Sequence, residues 1–127
     1  MALDHVSVGS NDIARARAFY MRALAPLGLG IVAEQPGKFA DFGECKVEFS
    51  IESPTNGERA TVGNGVHVCF AATSREQVDA FHAAAMTAGG IDDGAPGPRP
   101  EYGRHYYGAF VRDPDGHKIE ACCHLPA

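Results

Sequence analysis

The chain has 127 residues, of which 45% are hydrophobic and 21% charged, a composition typical of one globular domain. Its formal net charge is −5 and lysine and arginine form no run, so we expect neither nucleic acid nor an anionic membrane as partner. No apolar run could cross a bilayer, and no secretory signal is visible at the start. The cysteines, Cys45, Cys69, Cys122 and Cys123, form no Cys-x-x-Cys pair, so reduced thiols and a cytoplasmic protein are expected.

The first half predicts a strand, a helix and further strands. Residues 3–9 alternate between apolar and polar side chains, and Ser10-Asn11-Asp12 offers helix N-caps. Apolar residues then recur at helical spacing until Pro26 and Gly28 end the helix. The further predicted strands are residues 29–34, 39–42 and 45–52.

The second half repeats this order. Residues 65–72 alternate, Thr73 or Ser74 caps a second helix, and Gly89-Gly90 ends it. Residues 91–104 are rich in glycine and proline, which predicts an irregular edge strand. Asp113-Pro-Asp-Gly116 has strong turn chemistry. It predicts a hairpin between residues 106–112 and 117–124.

The two halves form an internal repeat. A shift of 62 positions places His5 on His67, and a shift of 72 places Glu48 on Glu120. We therefore predict one α+β domain of two β-α-β-β-β modules, whose sheets form a curved cleft. Their bounds are residues 1–53 and 65–127, with a linker at residues 54–64.

Histidine and glutamate at the repeated positions lie opposite the apolar stripe of their strands, so we expect them on a shared concave surface. Two imidazoles and one or two carboxylates match the ligand set of a divalent transition ion. His5, His67 and Glu120 would form a triad with open positions, and Glu48 would add a fourth ligand. A single strand histidine or glutamate is more often solvated or hydrogen-bonded than a ligand, and the repetition favours the metal. The expected non-ligands are Glu44, Glu52, His82 and His117.

Several segments carry a resemblance to a known family: Leu3-Asp-His-Val-Ser-Val-Gly9, Arg17-Ala-Phe-Tyr20, Gly65-Val-His-Val-Cys-Phe70 and Phe110-Val-Arg-Asp-Pro-Asp-Gly-His-Lys-Ile-Glu120. In these segments the chain resembles the vicinal oxygen chelate superfamily, also called the glyoxalase/bleomycin resistance/dioxygenase family. The last segment is the most specific, and the resemblance covers nearly the whole chain. It implies paired modules that curve into a cleft around a metal, often in a homodimer.

The resemblance also implies roles for individual residues. Glyoxalase-type members place ligands at the positions of His5, Glu48, His67 and Glu120. Extradiol dioxygenases use only the positions of His5, His67 and Glu120. Antibiotic-binding members lack the metal, which the filled ligand positions disfavour here. The cofactor implied is one divalent metal ion; Zn, Ni, Mn, Co and Fe(II) all remain open.

The aromatic and basic stretch at residues 99–107 is the candidate for substrate selection. If the turn pairs Asp113 with Gly116, Ala109 lies opposite Glu120 and Tyr107 lies opposite Cys122 on the cleft face. We therefore expect a small-molecule substrate to contact residues of this stretch, namely Arg99, Tyr102 and Tyr107. The alternative is a solvent-exposed aromatic loop.

Three functions remain open. In the first, a glyoxalase-like lyase or isomerase, the metal chelates two neighbouring oxygens of a small carbonyl or thiohemiacetal substrate. Glu48 or Glu120 acts as catalytic base, and the metal stabilises the resulting enediolate. The second is an Fe(II) extradiol-type dioxygenase, for which the chain is short. The third is a binding or resistance protein that sequesters a small molecule.

Overall fold

The computed structural model describes residues 2–127, so Met1 of the predicted first module lies outside it. Within that range the first half contains β1 (Val6–Gly9), α1 (Ile13–Leu24), β2 (Gly30–Gln35), β3 (Phe39–Gly43) and β4 (Phe49–Glu52). The second half contains β5 (His67–Ala71), α2 (Arg75–Thr87), β6 (Ile91–Pro98), β7 (Tyr107–Arg112) and β8 (Lys118–Cys123). The predicted α+β class and the order β-α-β-β-β are confirmed in both halves. Across residues 2–127, no helix combines the length and the apolar character that crossing a membrane requires.

Side-chain caps fix where both helices begin. The Asp12 carboxylate accepts a hydrogen bond from the Arg15 N–H at 3.0 Å, and the Ser74 hydroxyl accepts one from the Gln77 N–H at 3.2 Å. Each bond satisfies an N–H that has no partner within its helix. The predicted caps are thus confirmed, and they stand 62 positions apart, as the shift between His5 and His67 requires.

Each half forms its own four-stranded sheet, with strand orders β1-β4-β3-β2 and β5-β8-β7-β6. In both, the first strand runs parallel to the last and the other neighbours are antiparallel. The edge strand β6 is irregular around Gly94, as predicted. Strands β1 and β4 are shorter than predicted, so His5 and Glu48 lie immediately before them.

One hydrophobic core joins the two halves. The Tyr20 ring on α1 lies 4.8 Å from the Phe49 ring, and Phe49 meets Phe70 edge-on at 5.1 Å between centroids. Phe81 on α2 belongs to the same buried cluster. Full burial of such a side chain contributes about 2–3 kcal/mol. Both sheets therefore turn their apolar faces toward a common interior.

The turn between β7 and β8 connects the halves by polar contacts. The Asp113 carboxylate is buried and accepts a hydrogen bond from the Tyr20 hydroxyl at 2.5 Å. Asp115 accepts from the Ser10 hydroxyl at 2.7 Å, and the His117 Nε2 lies 2.7 Å from the Gly9 carbonyl oxygen. The Asp113–His117 turn, part of the most specific sequence motif, thus joins the second half to the end of β1 and to α1.

The predicted register of this hairpin is wrong by one residue. Phe110 lies opposite Glu120 and Gly108 opposite Cys122, where Ala109 and Tyr107 were expected. The reason is that the Asp113 N–H bonds to the His117 carbonyl, so five residues connect the strands. Tyr107 consequently points to the helix side of the sheet.

The predicted superposition of Glu48 on Glu120 is wrong by two residues. Gly9 pairs with Glu52 in the first sheet, and Ala71, 62 positions later, pairs with Cys122. The last strands are therefore related by a shift of 70, since the connections within the halves differ in length. Ser50 corresponds to Glu120, and Glu48 corresponds to Lys118.

Candidate functional site

Glu120 lies in the middle of β8 and is 1% exposed. Its Oε1 lies 3.2 Å from the Nε2 of His67, and its Oε2 accepts a hydrogen bond from the Tyr106 hydroxyl. Gly108 makes room for the carboxylate, because a Cβ there would stand 2.9 Å from Oε2. The carboxylate is thus fixed at both oxygens.

Strand alternation explains why Glu120 faces away from the core. Its neighbours Ile119 and Ala121 are fully buried in the shared hydrophobic cluster. Parallel pairing places Cys69 of β5 directly opposite Glu120, and His67, two residues before Cys69, lies on the same face. The predicted distribution of these side chains over two faces is confirmed.

The charge of Glu120 has little compensation within the chain. Among residues 2–127, His67 is the only basic side chain within 4.0 Å of this carboxylate. Burying a carboxylate without a cationic partner is costly. A divalent cation beside Glu120 and His67 would supply that partner, so the residues present at this end of the site fit a metal.

Two thiols adjoin the carboxylate. The Sγ atoms of Cys69 and Cys122 lie 3.3 Å apart, and the pair adjoins Glu120 on the same face. Because the Cys69 thiol donates toward Cys122, the pKa of Cys122 is lowered to about 6, while the pKa of Cys69 is raised. Burial and the Glu120 carboxylate raise the pKa of Tyr106.

Cys69, Glu120 and Cys122 form a group that could hold a metal ion, with one ligand atom from each within 4.8 Å of the others. The sequence showed no Cys-x-x-Cys spacing, so this group was not predicted. Its signal was the alternation of β8, which places Cys122 on the face of Glu120, together with a cysteine two residues after His67.

His5 and Glu48 do not join this group. His5 is half exposed and its Nδ1 lies 2.7 Å from the Asp4 carboxylate, while the Glu48 carboxylate accepts from the Glu44 N–H at 3.1 Å. Within residues 2–127 no cluster of three or more metal-ligating atoms contains either residue. The four-ligand set is not assembled within one copy of the chain, and the role of His5 and Glu48 stays a prediction.

Two of the residues expected to contact substrate, Arg99 and Tyr102, pack against neighbours of Glu120. The Arg99 guanidinium lies 5.8 Å from the centroid of the Phe110 ring, and Phe110 is the cross-strand partner of Glu120. Tyr102 is exposed and packs edge-on against Tyr106 at 5.4 Å.

Tyr107 was expected beside them but lies elsewhere. Its hydroxyl donates to Asp79 on α2 at 2.6 Å, and the Arg75 guanidinium covers its ring. The hydrogen bond to Asp79 is the main cause that raises the pKa of Tyr107. Tyr106, which the sequence did not single out, takes the position beside the site; the correct hairpin register would have indicated it.

A cleft of about 300 Å³ opens beside His67. It is lined by residues 62–67 and by the cationic side chains of Arg112 and Lys118. A small anionic or carbonyl compound could therefore approach His67 from this side.

Comparison with known proteins agrees with this geometry. The sequence matches the Glyoxalase/Bleomycin resistance protein/Dioxygenase superfamily over residues 2–121. A glyoxalase/bleomycin resistance protein from Albidiferax ferrireducens T118 is 39% identical, with a TM-score of 0.89 over 98% of this chain and 100% of that one. No protein with a curated description matches.

Two more distant solved structures share the fold. A glyoxalase-related enzyme from Fulvimarina pelagi is 18% identical, with a TM-score of 0.75 over 97% of this chain and 88% of that one. Lactoylglutathione lyase from Agrobacterium tumefaciens is 23% identical, with a TM-score of 0.67 over 96% of this chain and 92% of that one. By its sequence, its paired modules and its structural relatives, the chain belongs to the glyoxalase/bleomycin resistance protein/dioxygenase superfamily.

Proposed function

We propose that the chain is a metal-dependent small-molecule enzyme, a glyoxalase-like lyase or isomerase whose substrate carries two adjacent oxygens. The observation that carries the proposal is the buried Glu120 carboxylate, which lies beside His67 and has no lysine or arginine within 4.0 Å among residues 2–127. Family membership and the lyase named among the structural relatives support the reaction class.

Glu120 has two proposed roles, metal ligand and catalytic base. His67 would be a second ligand, because its ring is partly exposed and its Nε2 already faces the carboxylate. A divalent ion would supply, when bound, positive charge for two neighbouring substrate oxygens. Arg99 and Tyr102 would contact the substrate, since the guanidinium and the phenol offer donors to its oxygens.

The test begins with metal analysis of protein purified without added metal, followed by turnover assays with 2-oxoaldehydes and small thiols. Glu120→Gln should lower kcat about a hundredfold or more, because the amide cannot accept the substrate proton. The exposed Glu44, changed to glutamine, is the matched control and should retain activity. Unchanged turnover in Glu120→Gln would contradict the proposal, and oxygen consumption with catechols would indicate a dioxygenase instead.

We also propose a homodimer in which His5 and Glu48 of one copy complete the site of the other. His5 and Glu48 adjoin the first sheet, whereas His67 and Glu120 lie on the second. The apolar faces of the two sheets share one core, so both polar faces are turned outward. A twofold dimer can bring unlike surfaces of two copies together, and each copy then contributes one pair to each site. The proposal is weaker for Glu48 than for His5, because the strand register does not place Glu48 at the position that corresponds to Glu120.

Mixing two inactive variants tests this arrangement. His5→Gln and His67→Gln should each abolish activity alone. After co-refolding, each mixed dimer would contain one intact and one doubly altered site, so activity should return. Mixing two preparations of the same variant is the control. No recovery in mixed dimers confirmed by mass spectrometry would show that the sites are not shared.

The thiol pair also bears on the compartment. The sulfurs of Cys69 and Cys122 lie 3.3 Å apart, close enough for oxidation to a disulfide in a secreted protein, and such oxidation would block the carboxylate face that the proposed function uses. We propose that the chain works in a reducing compartment such as the cytoplasm.

A further inference from the structure

The sheet face around Glu120 carries sulfur ligands that its counterpart in the first half lacks. By the strand registers, Cys69 corresponds to Ser7 and Glu120 corresponds to Ser50. Cys122 likewise corresponds to Glu52. The metal-binding chemistry is therefore concentrated in the second half, and it does not depend on the repeat.

The geometry of this group is compact. The sulfurs of Cys69 and Cys122 are 3.3 Å apart, and a Glu120 carboxylate oxygen lies within 4.8 Å of both. His67 and His124 border the group: Nε2 of His67 is 3.2 Å from Glu120, and Nε2 of His124 is 3.9 Å from the Cys122 sulfur. The paired strands β5 and β8 hold His67, Cys69, Glu120 and Cys122 on one surface, and His124 follows the end of β8.

Thiolates with a carboxylate and nearby imidazoles favour a particular class of ion. Soft sulfur ligands select Zn²⁺ and similar ions over Mg²⁺ and Ca²⁺, which prefer oxygen. Three protein ligands leave one position of a tetrahedral zinc open for water or substrate. Binding requires both thiols to lose their protons, so affinity should rise with pH.

We propose that Cys69, Cys122 and Glu120 bind one thiolate-preferring divalent ion, such as Zn²⁺, within a single copy of the chain. The site shares Glu120 with the proposed enzymatic site but needs neither His5 nor Glu48. Metal binding at this site requires neither enzymatic turnover nor the proposed dimer.

Cobalt provides a spectroscopic test, because Co²⁺ bound to thiolate shows a sulfur-to-metal charge-transfer band in the near ultraviolet. The reduced, metal-free chain is titrated with Co²⁺ and then with Zn²⁺, which should displace it. Cys69→Ser and Cys122→Ser should each reduce the band to about half, because one thiolate remains, and should weaken binding about tenfold or more, a fall at least as large as that on losing an outer-shell partner. Cys45→Ser is the matched control, because Cys45 is exposed and lies in the connection between β3 and β4 of the other sheet.

Alkylation of the unaltered chain avoids the risk that a variant misfolds. Zn²⁺ should protect the exposed Cys69 from iodoacetamide and leave the exposed Cys45 reactive, as mapped by mass spectrometry. His5→Gln and Glu48→Gln should keep the cobalt band.

Two results would overturn the site. One is Co²⁺ bound without a charge-transfer band, with affinity lost in His5→Gln and kept in Cys69→Ser; this result would leave the proposed enzyme intact. The other is alkylation of Cys69 that proceeds equally with and without zinc.

Discussion

The Tyr106 hydroxyl and the His67 imidazole each hold one oxygen of the Glu120 carboxylate. Tyr106→Phe leaves Oε2 buried without its donor, which should destabilise the metal-free chain by about 1–3 kcal/mol. Urea unfolding measures the loss. The exposed Tyr102 is the control, and Tyr102→Phe should change stability by less than about 0.5 kcal/mol. Equal effects of the two changes would show that the Tyr106 hydroxyl does not stabilise Glu120.

Tyr20 makes folding sensitive to alkaline pH. Burial, and next the Asp113 carboxylate, raise the pKa of Tyr20 well above its usual value. Its contribution is therefore fully present below the unfolded pKa of about 10 and is lost as pH rises beyond it. Unfolding free energies measured from about pH 9 to about pH 11 should fall less steeply in Tyr20→Phe than in the unaltered chain. Identical slopes would contradict this prediction.

Gly108 leaves the space that the Glu120 carboxylate occupies. A Cβ at this position would lie 2.9 Å from Oε2 and 3.1 Å from the Tyr106 ring. Gly108→Ala should therefore displace both side chains and weaken cobalt binding about tenfold. At Gly103 a Cβ would make an ordinary contact of 3.7 Å with Tyr106, so Gly103→Ala should bind as the unaltered chain does. Equal affinities would show that the carboxylate tolerates the shift.

At the scale of elements, local sequence signals predicted the helices and strands. They did not predict which residues of neighbouring strands lie opposite each other. Asp12 and Ser74 were identifiable as caps because capping depends on residues within one turn of the chain. The hairpin register depends on whether the turn takes four or five residues, and Asp113-Pro-Asp-Gly permits both. That one residue decides whether Tyr106 or Tyr107 lies beside Glu120.

The turn between β7 and β8 should contribute to stability through Asp115. Its carboxylate accepts from the Ser10 hydroxyl at 2.7 Å and from the Asn11 N–H at 3.0 Å, beside the start of α1. Asp115→Ala should cost about 1–3 kcal/mol, because these two donors and the Arg15 guanidinium lose their acceptor and the helix N-terminus loses a negative charge. Asp93→Ala breaks only the more exposed pair with Arg112 and should cost less than about 1 kcal/mol. Chemical denaturation of both variants makes the comparison.

At the scale of the whole molecule, the shared core should make the two halves unfold together. Phe49 of the first sheet packs on Phe70 of the second, and both helices lie in the same cluster. Far-ultraviolet circular dichroism and tyrosine fluorescence should therefore report coincident transitions in urea. Two separated transitions would mean that the halves are independent units.

The site depends on how distant parts of the chain come together, and this limited what the sequence could predict about it. Strand alternation, which is visible along the chain, predicted correctly that His67 and Glu120 lie on the polar side of their strands, where they are neighbours. The repeat spacing misplaced the glutamate match by two residues. Whether His5 meets them depends on how one sheet is oriented relative to the other, and helix packing sets that orientation. The thiol pair was not predicted, because Cys69 and Cys122 are distant in sequence and meet only through the parallel pairing of β5 with β8.

Asp113, Asp115 and His117 of the second half contact the end of β1 and helix α1 of the first half. These contacts have a consequence for protein engineering. Residues 54–64 contain no strand or helix, so the backbone can be cut there without breaking a sheet. The two fragments would carry complementary parts of one hydrophobic core, and the hydrogen bond from Tyr20 to Asp113 would help to align them. Fused to two interacting baits, they would form a split reporter. Reassembly would restore the near-ultraviolet charge-transfer band of bound cobalt, because the second half, which carries the ligands, shares its core with the first.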